Sequence, residues 1–379
     1  MRTPMCKAKK GAFKDTTSDA LLLKTLSAVR GRLGFDANEI QDIVVGTCHP
    51  PSPVYEARAA ALTAGYPQEI PVQAINRLCS SGLMAIRSVS DSISRGDIDV
   101  GLAVGYESMS KNPRPTPTFG SEDIQKHKIA RDCAEPMGWT SEMLAQDYGI
   151  TRQQMDEVAL VSHTRASEAQ KSGRFQSEIM PIETLVIDEA TGQSNPVVAD
   201  HDDGLRHGTT LEGLAKARPA FPDWGNAVST GGNSSQLTDG AAAVVLMRRS
   251  KAEQFGLPIL AKHVGTTVVG VSPRIMGVGP VPQILRRLGL EKDDVDLYEI
   301  NEAFSSMYVY CLKELNVDIA KVNVNGGAIA FGHPLGATGV RQVVTGLSEL
   351  RRRDQDILCT SMCIGSGMGA AAIFVNERK

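Results

Sequence analysis

The chain has 379 residues, 42% of them apolar and 5% aromatic, and a formal charge of −3. That length exceeds what one core usually organises, so two or three domains are expected; the small net charge argues against a general polyanion binder but leaves room for a local basic patch. Seven cysteines, an odd number without paired short spacings, match neither a disulfide framework nor a zinc site and fit a reducing compartment.

No metal site is expected, and no apolar run approaches the roughly 20 residues that span a bilayer. The first ten residues lack the apolar stretch of a secretory signal, and Asn-Glu-Arg-Lys379 is not a peroxisomal Ser-Lys-Leu address. The expected setting is intracellular.

Residues 18–32 place Leu21, Leu22, Leu26 and Val29 at helical spacing, with Ser18 or Asp19 as cap. Short β-branched runs at 43–46 and 72–75 predict strands. A helix is predicted over 79–94 from Leu83, Ile86, Val89 and Ile93, followed by a buried strand at 100–105. This β–α–β rhythm favours α/β layers. Residues 113–232 differ. Pro113, Pro115 and Pro117 interrupt the start and charged stretches recur around Asp200-His-Asp-Asp203, leaving helices at 141–147 and 151–172 in what reads as an insertion over a core fold. Strands resume at 239–247, 296–300 and 370–375. Gly-Ala-Ala-Ala at Gly240, echoed by Gly-Ala-Ala-Ala at Gly369, hints at an internal duplication.

Three glycine-rich segments each carry one reactive side chain: Asn76-Arg-Leu-Cys-Ser-Ser-Gly82, Gly326-Gly-Ala-Ile-Ala-Phe-Gly-His-Pro-Leu-Gly336 and Ser361-Met-Cys-Ile-Gly-Ser-Gly-Met-Gly369. Two thiols and an imidazole suit covalent acyl transfer: one sulfur holds the acyl group while another group moves a proton. Glycines let backbone N–H groups approach an oxyanion. Cys79 lies where loop becomes helix, a position that favours thiolate; the alternative is a small buried hydrophobe. His333, between Gly332 and Pro334, reads equally as a base or a structural histidine. Cys363 precedes three spaced glycines, which also suit a tight turn. Asn301, after an apolar strand, occupies a common site location in α/β folds or a plain turn.

Together with Arg2-Thr-Pro, Gly105-Tyr-Glu-Ser-Met109, Pro136-Met-Gly138, the run from Glu212 to Phe221, Gly231-Gly-Asn-Ser-Ser235 and Met276-Gly-Val-Gly-Pro280, these segments identify the chain as resembling the thiolase family, in particular peroxisomal-type 3-ketoacyl-CoA thiolases. The resemblance implies duplicated α-β-α layers: an N-terminal half over 1–112 plus 233–250, a C-terminal half over 251–379, and a loop domain over 113–232 that binds coenzyme A. It implies Cys79 as nucleophile, His333 as its base and Cys363 as the acid/base for the acetyl-CoA enolate. Asn301 with His333, and the N–H groups of Cys79 and Gly365, would form the oxyanion sites. Arg218, Ser235 and Met137 would contact coenzyme A, a substrate; no cofactor is implied.

A homodimer or homotetramer is expected, as is a peroxisomal setting by family, with cytoplasm as alternative; no nucleic-acid partner is expected. Trp139 is expected to face either the acyl tunnel or a partner subunit. Two departures stand out: Met1 occupies the place of the family's first apolar strand, expected inside the first sheet, and the helix around 281–290 is about one turn short. They keep open a truncated, non-catalytic acyl-CoA-binding protein, and acetoacetyl-CoA thiolase is the near variant. Decarboxylating ketoacyl synthases would need a histidine where this chain has Asn301.

Overall fold

A computed structural model of the chain describes residues 1–276 and 280–377. Gly277-Val-Gly279 of the segment noted above and the final Arg378-Lys379 lie outside them. The first half runs β1 (Cys6–Lys7), α1 (Ser18–Arg30), β2 (Asp42–Gly46), α2 (Pro53–Thr63), β3 (Val72–Ile75), α3 (Ser81–Arg95) and β4 (Val100–Ser108). The intervening region holds α4 (Glu122–Lys126), α5 (Lys128–Arg131), α6 (Met137–Asp147), α7 (Arg152–Lys171), the hairpin β5 (Ile182–Ile187) and β6 (Ser194–Ala199), and α8 (Leu211–Ala215). Then come β7 (Thr238–Met247), α9 (Arg249–Gln254), β8 (Ala261–Gly270), α10 (Pro280–Leu288), β9 (Leu297–Ile300), α11 (Ser305–Leu315), α12 (Ala328–Phe331), α13 (Leu335–Arg352), β10 (Ile357–Ile364) and β11 (Met368–Asn376).

The two large sheets have one topology. The first is ordered β1-β7-β4-β2-β3 and the second β8-β11-β10-β9, with Val322 bridging the outer side of β9 where β3 stands in the first. In each, the second strand of the order runs antiparallel to the third, and the third parallel to the fourth. The repeated Gly-Ala-Ala-Ala runs fall on the matching strands β7 and β11, where small side chains admit close packing. The duplication hinted at by those runs is real at the level of topology.

Five layers result. Leu21, Leu22 and Leu26 of α1 and Ala57, Ala60 and Ala61 of α2 cover one face of the first sheet. Val281, Ile284 and Leu285 of α10, with Tyr308 of α11, cover the far face of the second. Between the sheets lie α3 and α13, back to back. A side-chain carbon on Gly82 would fall 2.5 Å from the Gly336 carbonyl, and one on Gly339 2.5 Å from the Leu83 amide, so glycine lets the two backbones touch. Helix α13 is buried on nearly every side and includes Arg341, Gln342, Thr345 and Glu349. These find internal partners, as buried polar groups must: Arg341 pairs with Glu299 at 3.0 Å, and Gln342 donates to the Glu299 carbonyl at 2.8 Å.

Arg2 and Thr3 run beside Ala242 and Ala241 of β7, and Arg2 also bridges Ile179 on its other side. The Arg2 guanidinium then forks onto Asp202 at 2.6 and 2.9 Å and reaches Glu178 at 2.6 Å. A buried bidentate pair of this kind fixes geometry as well as charge. Helix α3 begins at Ser81, two residues beyond Cys79, and α7 is closed by a capping box between Thr151 and Gln154.

Candidate active site

Cys79 occupies the last turn before α3 and is 4% exposed. The residue before it, Leu78, has φ 48°, a left-handed conformation costly for a side-chain-bearing residue. Asn76 holds that turn, accepting from the Leu78 amide at 2.9 Å and donating to the Cys48 carbonyl at 3.0 Å. The Cys79 sulfur meets the backbone N–H of Gly365 and its own N–H. Gly365 is in turn flanked by Leu78 and the Met137 sulfur, and Ser366 (φ 63°) and Gly367 (φ 84°) turn the chain back into β11.

Cys363, near the end of β10, is also buried and close enough to Cys79 for a charge on that sulfur to raise its pKa. The Asn301 side chain hydrogen-bonds Cys363, and Asn301 Nδ2 donates to His333 Nε2 at 3.3 Å. Asn301 is fixed at the end of β9 by donating its amide to the Ser361 carbonyl at 2.8 Å. Its Oδ1 is buried without a partner among the described residues. The structure therefore draws Cys79, Cys363, Asn301, His333 and Gly365 into one chamber.

The tautomer of His333 follows from its neighbours. Thr338 donates its only hydroxyl proton to the Pro334 carbonyl at 2.9 Å. At 2.6 Å from His333 Nδ1 the hydroxyl oxygen can then only accept, so Nδ1 carries the proton and Nε2 the lone pair. Gly332 has φ 98°, and a Cβ there would lie on top of the Thr238 hydroxyl. The His333 amide donates to the Gln236 carbonyl at 3.1 Å.

Burial sets the charges. It pushes the Cys79 thiol up to about 11, against lowering by the Gly365 and Cys79 N–H groups; Glu107 adds to the rise and Arg114 opposes it. It pushes Cys363 well above the ordinary thiol range, and His333 down to about 3, helped by Arg341. The resting chamber thus holds two thiols and a neutral imidazole. This corrects the expectation that Cys79 is favoured as thiolate: desolvation outweighs the oriented N–H groups.

The expected coenzyme contacts divide between two places. Met137 borders Gly365 in the chamber. Ser235 donates its hydroxyl to the Ala303 carbonyl at 2.9 Å, beside Asn301. Arg218 is exposed and lines a separate open cleft of about 470 Å3 with Arg206, Thr209, Thr210 and Gly231-Gly232. The stretch Gly231–Ser235 links cleft and chamber. The Arg274 guanidinium lies 5.7 Å from the Trp139 ring centre and is held by Asp147 of the same chain at 2.7 and 2.9 Å. Thr338, five residues beyond His333 and in the first turn of α13, escaped the sequence reading.

Models of the thiolase N-terminal domain and thiolase C-terminal domain match residues 1–250 and 257–376. The chain belongs to the thiolase family. It is 49% identical to peroxisomal 3-ketoacyl-CoA thiolase 1 of Arabidopsis thaliana, over 98% of this chain and 85% of that protein. Peroxisomal 3-ketoacyl-CoA thiolase B of Rattus norvegicus is 48% identical over 98% and 88%. Among solved structures, the dimeric peroxisomal thiolase of Saccharomyces cerevisiae superposes with a TM-score of 0.92 at 43% identity, covering 99% of this thiolase and 95% of the yeast chain. Another description of the yeast enzyme is of a five-layered structure of two core domains of identical topology, the arrangement derived above. Among the described residues no helix is long and apolar enough to cross a membrane.

Proposed function

We propose that this thiolase cleaves 3-ketoacyl-CoA with coenzyme A, giving acetyl-CoA and an acyl-CoA two carbons shorter. The observation that carries this reading is the convergence of Cys79, Cys363, Asn301 and His333 in one buried chamber, with the Gly365 N–H on the Cys79 sulfur. Cys79 attacks the 3-keto carbon as its proton passes to His333 Nε2. Both groups start neutral, so attack and proton transfer go together and no free thiolate is needed. The N–H groups of Cys79 and Gly365 hold the oxyanion, and the bond between C2 and C3 breaks. Asn301 and His333 face the thioester oxygen of the departing enolate, which takes a proton from Cys363. A coenzyme A thiol, its proton taken by the Cys363 thiolate left by that step, then attacks the acyl group, and the departing Cys79 sulfur recovers its proton from His333 Nε2. Losing one oxyanion donor in such a site costs about 3 kcal/mol.

The nucleotide end of coenzyme A is assigned to the cleft bearing Arg218, whose planar guanidinium suits a phosphate or an adenine face; Ser235 and Met137 lie on the way to the sulfur. The relatives named peroxisomal support that compartment for this chain. The dimeric yeast thiolase supports a homodimer, and in this chain β3, the outer strand of the first sheet, with exposed Tyr55 and Leu62 on α2, offers the surface for it. Purified protein is assayed for thiolysis of acetoacetyl-CoA and longer 3-ketoacyl-CoAs. Cys79→Ser abolishes turnover, whereas Cys363→Ala blocks carbon–carbon cleavage but still transfers an acyl group from a simple acyl-CoA to Cys79. Absence of thiolysis by the folded wild-type oligomer refutes the proposal.

A further inference from the structure

Glu107, near the end of β4, is fully buried and touches both arms of the catalytic chamber. Its carboxylate accepts from the backbone amides of Cys48, His49 and Gly336, each at 3.0 Å, and from the Thr47 hydroxyl at 3.4 Å. These four donors are neutral. The segment 47–49 supports the nucleophile turn: the Cys48 thiol donates to the Leu78 carbonyl at 2.9 Å, and the Cys48 carbonyl accepts from Asn76. Gly336 lies in the first turn of α13, three residues after His333 and two before Thr338, which fixes the His333 tautomer.

The surroundings leave little room for anything but backbone. A Cβ on Gly46 would fall 2.3 Å from the Ser81 carbonyl carbon, one on Gly105 2.3 Å from the Gly336 oxygen, and one on Gly336 2.5 Å from the Thr47 Cα. At this crossing of β2, β4 and the starts of α3 and α13, the Glu107 carboxylate bonds the nucleophile side to the histidine side. Burying a carboxylate on neutral donors is expensive, and a neutral residue of similar size would avoid that cost.

We propose that Glu107 is a positioning residue, its carboxylate setting the distance between the Cys79 turn and the His333 arm and placing a negative charge beside the nucleophile. The inference rests on Cys79 and His333 being the reacting pair. The charge acts on Cys79 as well as the geometry: the groups facing that thiol are Glu107, Arg114, Cys48, Cys363 and its reaction partner His333, which is neutral at rest, and of these Glu107 is the buried anion. Burial raises the Glu107 pKa, against the lowering effect of His49 and the amides of His49, Gly336 and Cys48, and with two donors on each oxygen the carboxylate is the form that fits its surroundings.

The test compares Glu107→Gln and Glu107→Asp with wild type in two assays: acetoacetyl-CoA thiolysis, and the pH dependence of Cys79 alkylation by iodoacetamide. Glutamine presents an NH2 group to amides that need an acceptor and removes the charge. It should lower kcat by roughly 10–100-fold, leave KM for coenzyme A within about twofold, and move the alkylation midpoint to lower pH by on the order of half a unit. Aspartate keeps the charge on a shorter arm. It should lose kcat while keeping the wild-type midpoint, and it carries the test if the glutamine variant does not fold. Wild-type kcat with an unmoved midpoint in folded Glu107→Gln, or wild-type kcat in Glu107→Asp, overturns the inference. A Cys79→Ser protein that still cleaves acetoacetyl-CoA instead removes the underlying reading of the site.

Discussion

Replacing Thr338 with valine tests how the imidazole is prepared for catalysis. The Thr338 hydroxyl is fully buried, accepts from His333 Nδ1 at 2.6 Å and donates to the Pro334 carbonyl at 2.9 Å. Valine keeps the volume. The Pro334 carbonyl still accepts from the Ala337 and Thr338 amides at 2.9 and 3.0 Å, so the orphaned group is Nδ1–H. A buried donor without an acceptor costs about 1–3 kcal/mol. The ring avoids that cost by moving its proton to Nε2, where the unpartnered Oδ1 side of Asn301 can receive it after an amide flip. In that tautomer Nε2 is no longer a base. Restoring the productive tautomer adds the same 1–3 kcal/mol to the barrier, which is about 5- to 150-fold in kcat. Steady-state thiolysis of acetoacetyl-CoA reads the effect; KM for coenzyme A should not move, and Thr338→Ser should recover most of the rate. A folded Thr338→Val protein turning over within twofold of wild type would refute the tautomer argument.

Two further outcomes concern pH. Because burial holds the resting Cys79 thiol near 11, its alkylation by iodoacetamide should keep accelerating past pH 9 in the free enzyme; a plateau reached below pH 8 would contradict a neutral resting thiol. His263, which bonds the hydroxyls of Ser90 and Thr266 at 2.7 and 2.8 Å, is pushed down by burial to about 4. Below its ordinary pKa of about 6.5 the unfolded chain takes up a proton that the folded chain refuses. The stability due to the neutral ring is thus present above pH 6.5 and lost as pH falls toward 4. His263→Asn should flatten the fall in urea midpoint between pH 6.5 and 4, and an unchanged slope would show that this ring does not drive it.

Much of the chamber was legible because its chemistry sits in compact runs: Cys79, His333 and Cys363 each stand in a segment of small residues. Strands such as Val72–Ile75 were legible from β-branching. Helix α13 carries Val340, Val343, Val344, Leu347 and Leu350 at helical spacing, a signal the sequence reading passed over; what could not be read there is that Arg341, Gln342 and Glu349 are buried as well, with partners from elsewhere in the chain. Strand β10, buried along nearly its whole length, gave no alternation. The charge state of Cys79 was misread because sequence reveals a helix start but not how completely the chamber closes. Thr338 and Glu107 act through other residues, and only the folded chain brings them to the site.

The repeated topology has a consequence for how one chamber arises from two copies of a fold. Helices α3 and α13 hold equivalent places, each leading into the third strand of its sheet's order, and β4 matches β10. The turn entering α3 supplies a sulfur and the turn entering α13 an imidazole; near the ends of the matching strands stand Glu107 and Cys363. Equivalent addresses have taken up unlike chemistry, a division of labour between repeats, and a fragment holding either repeat alone keeps only part of the apparatus.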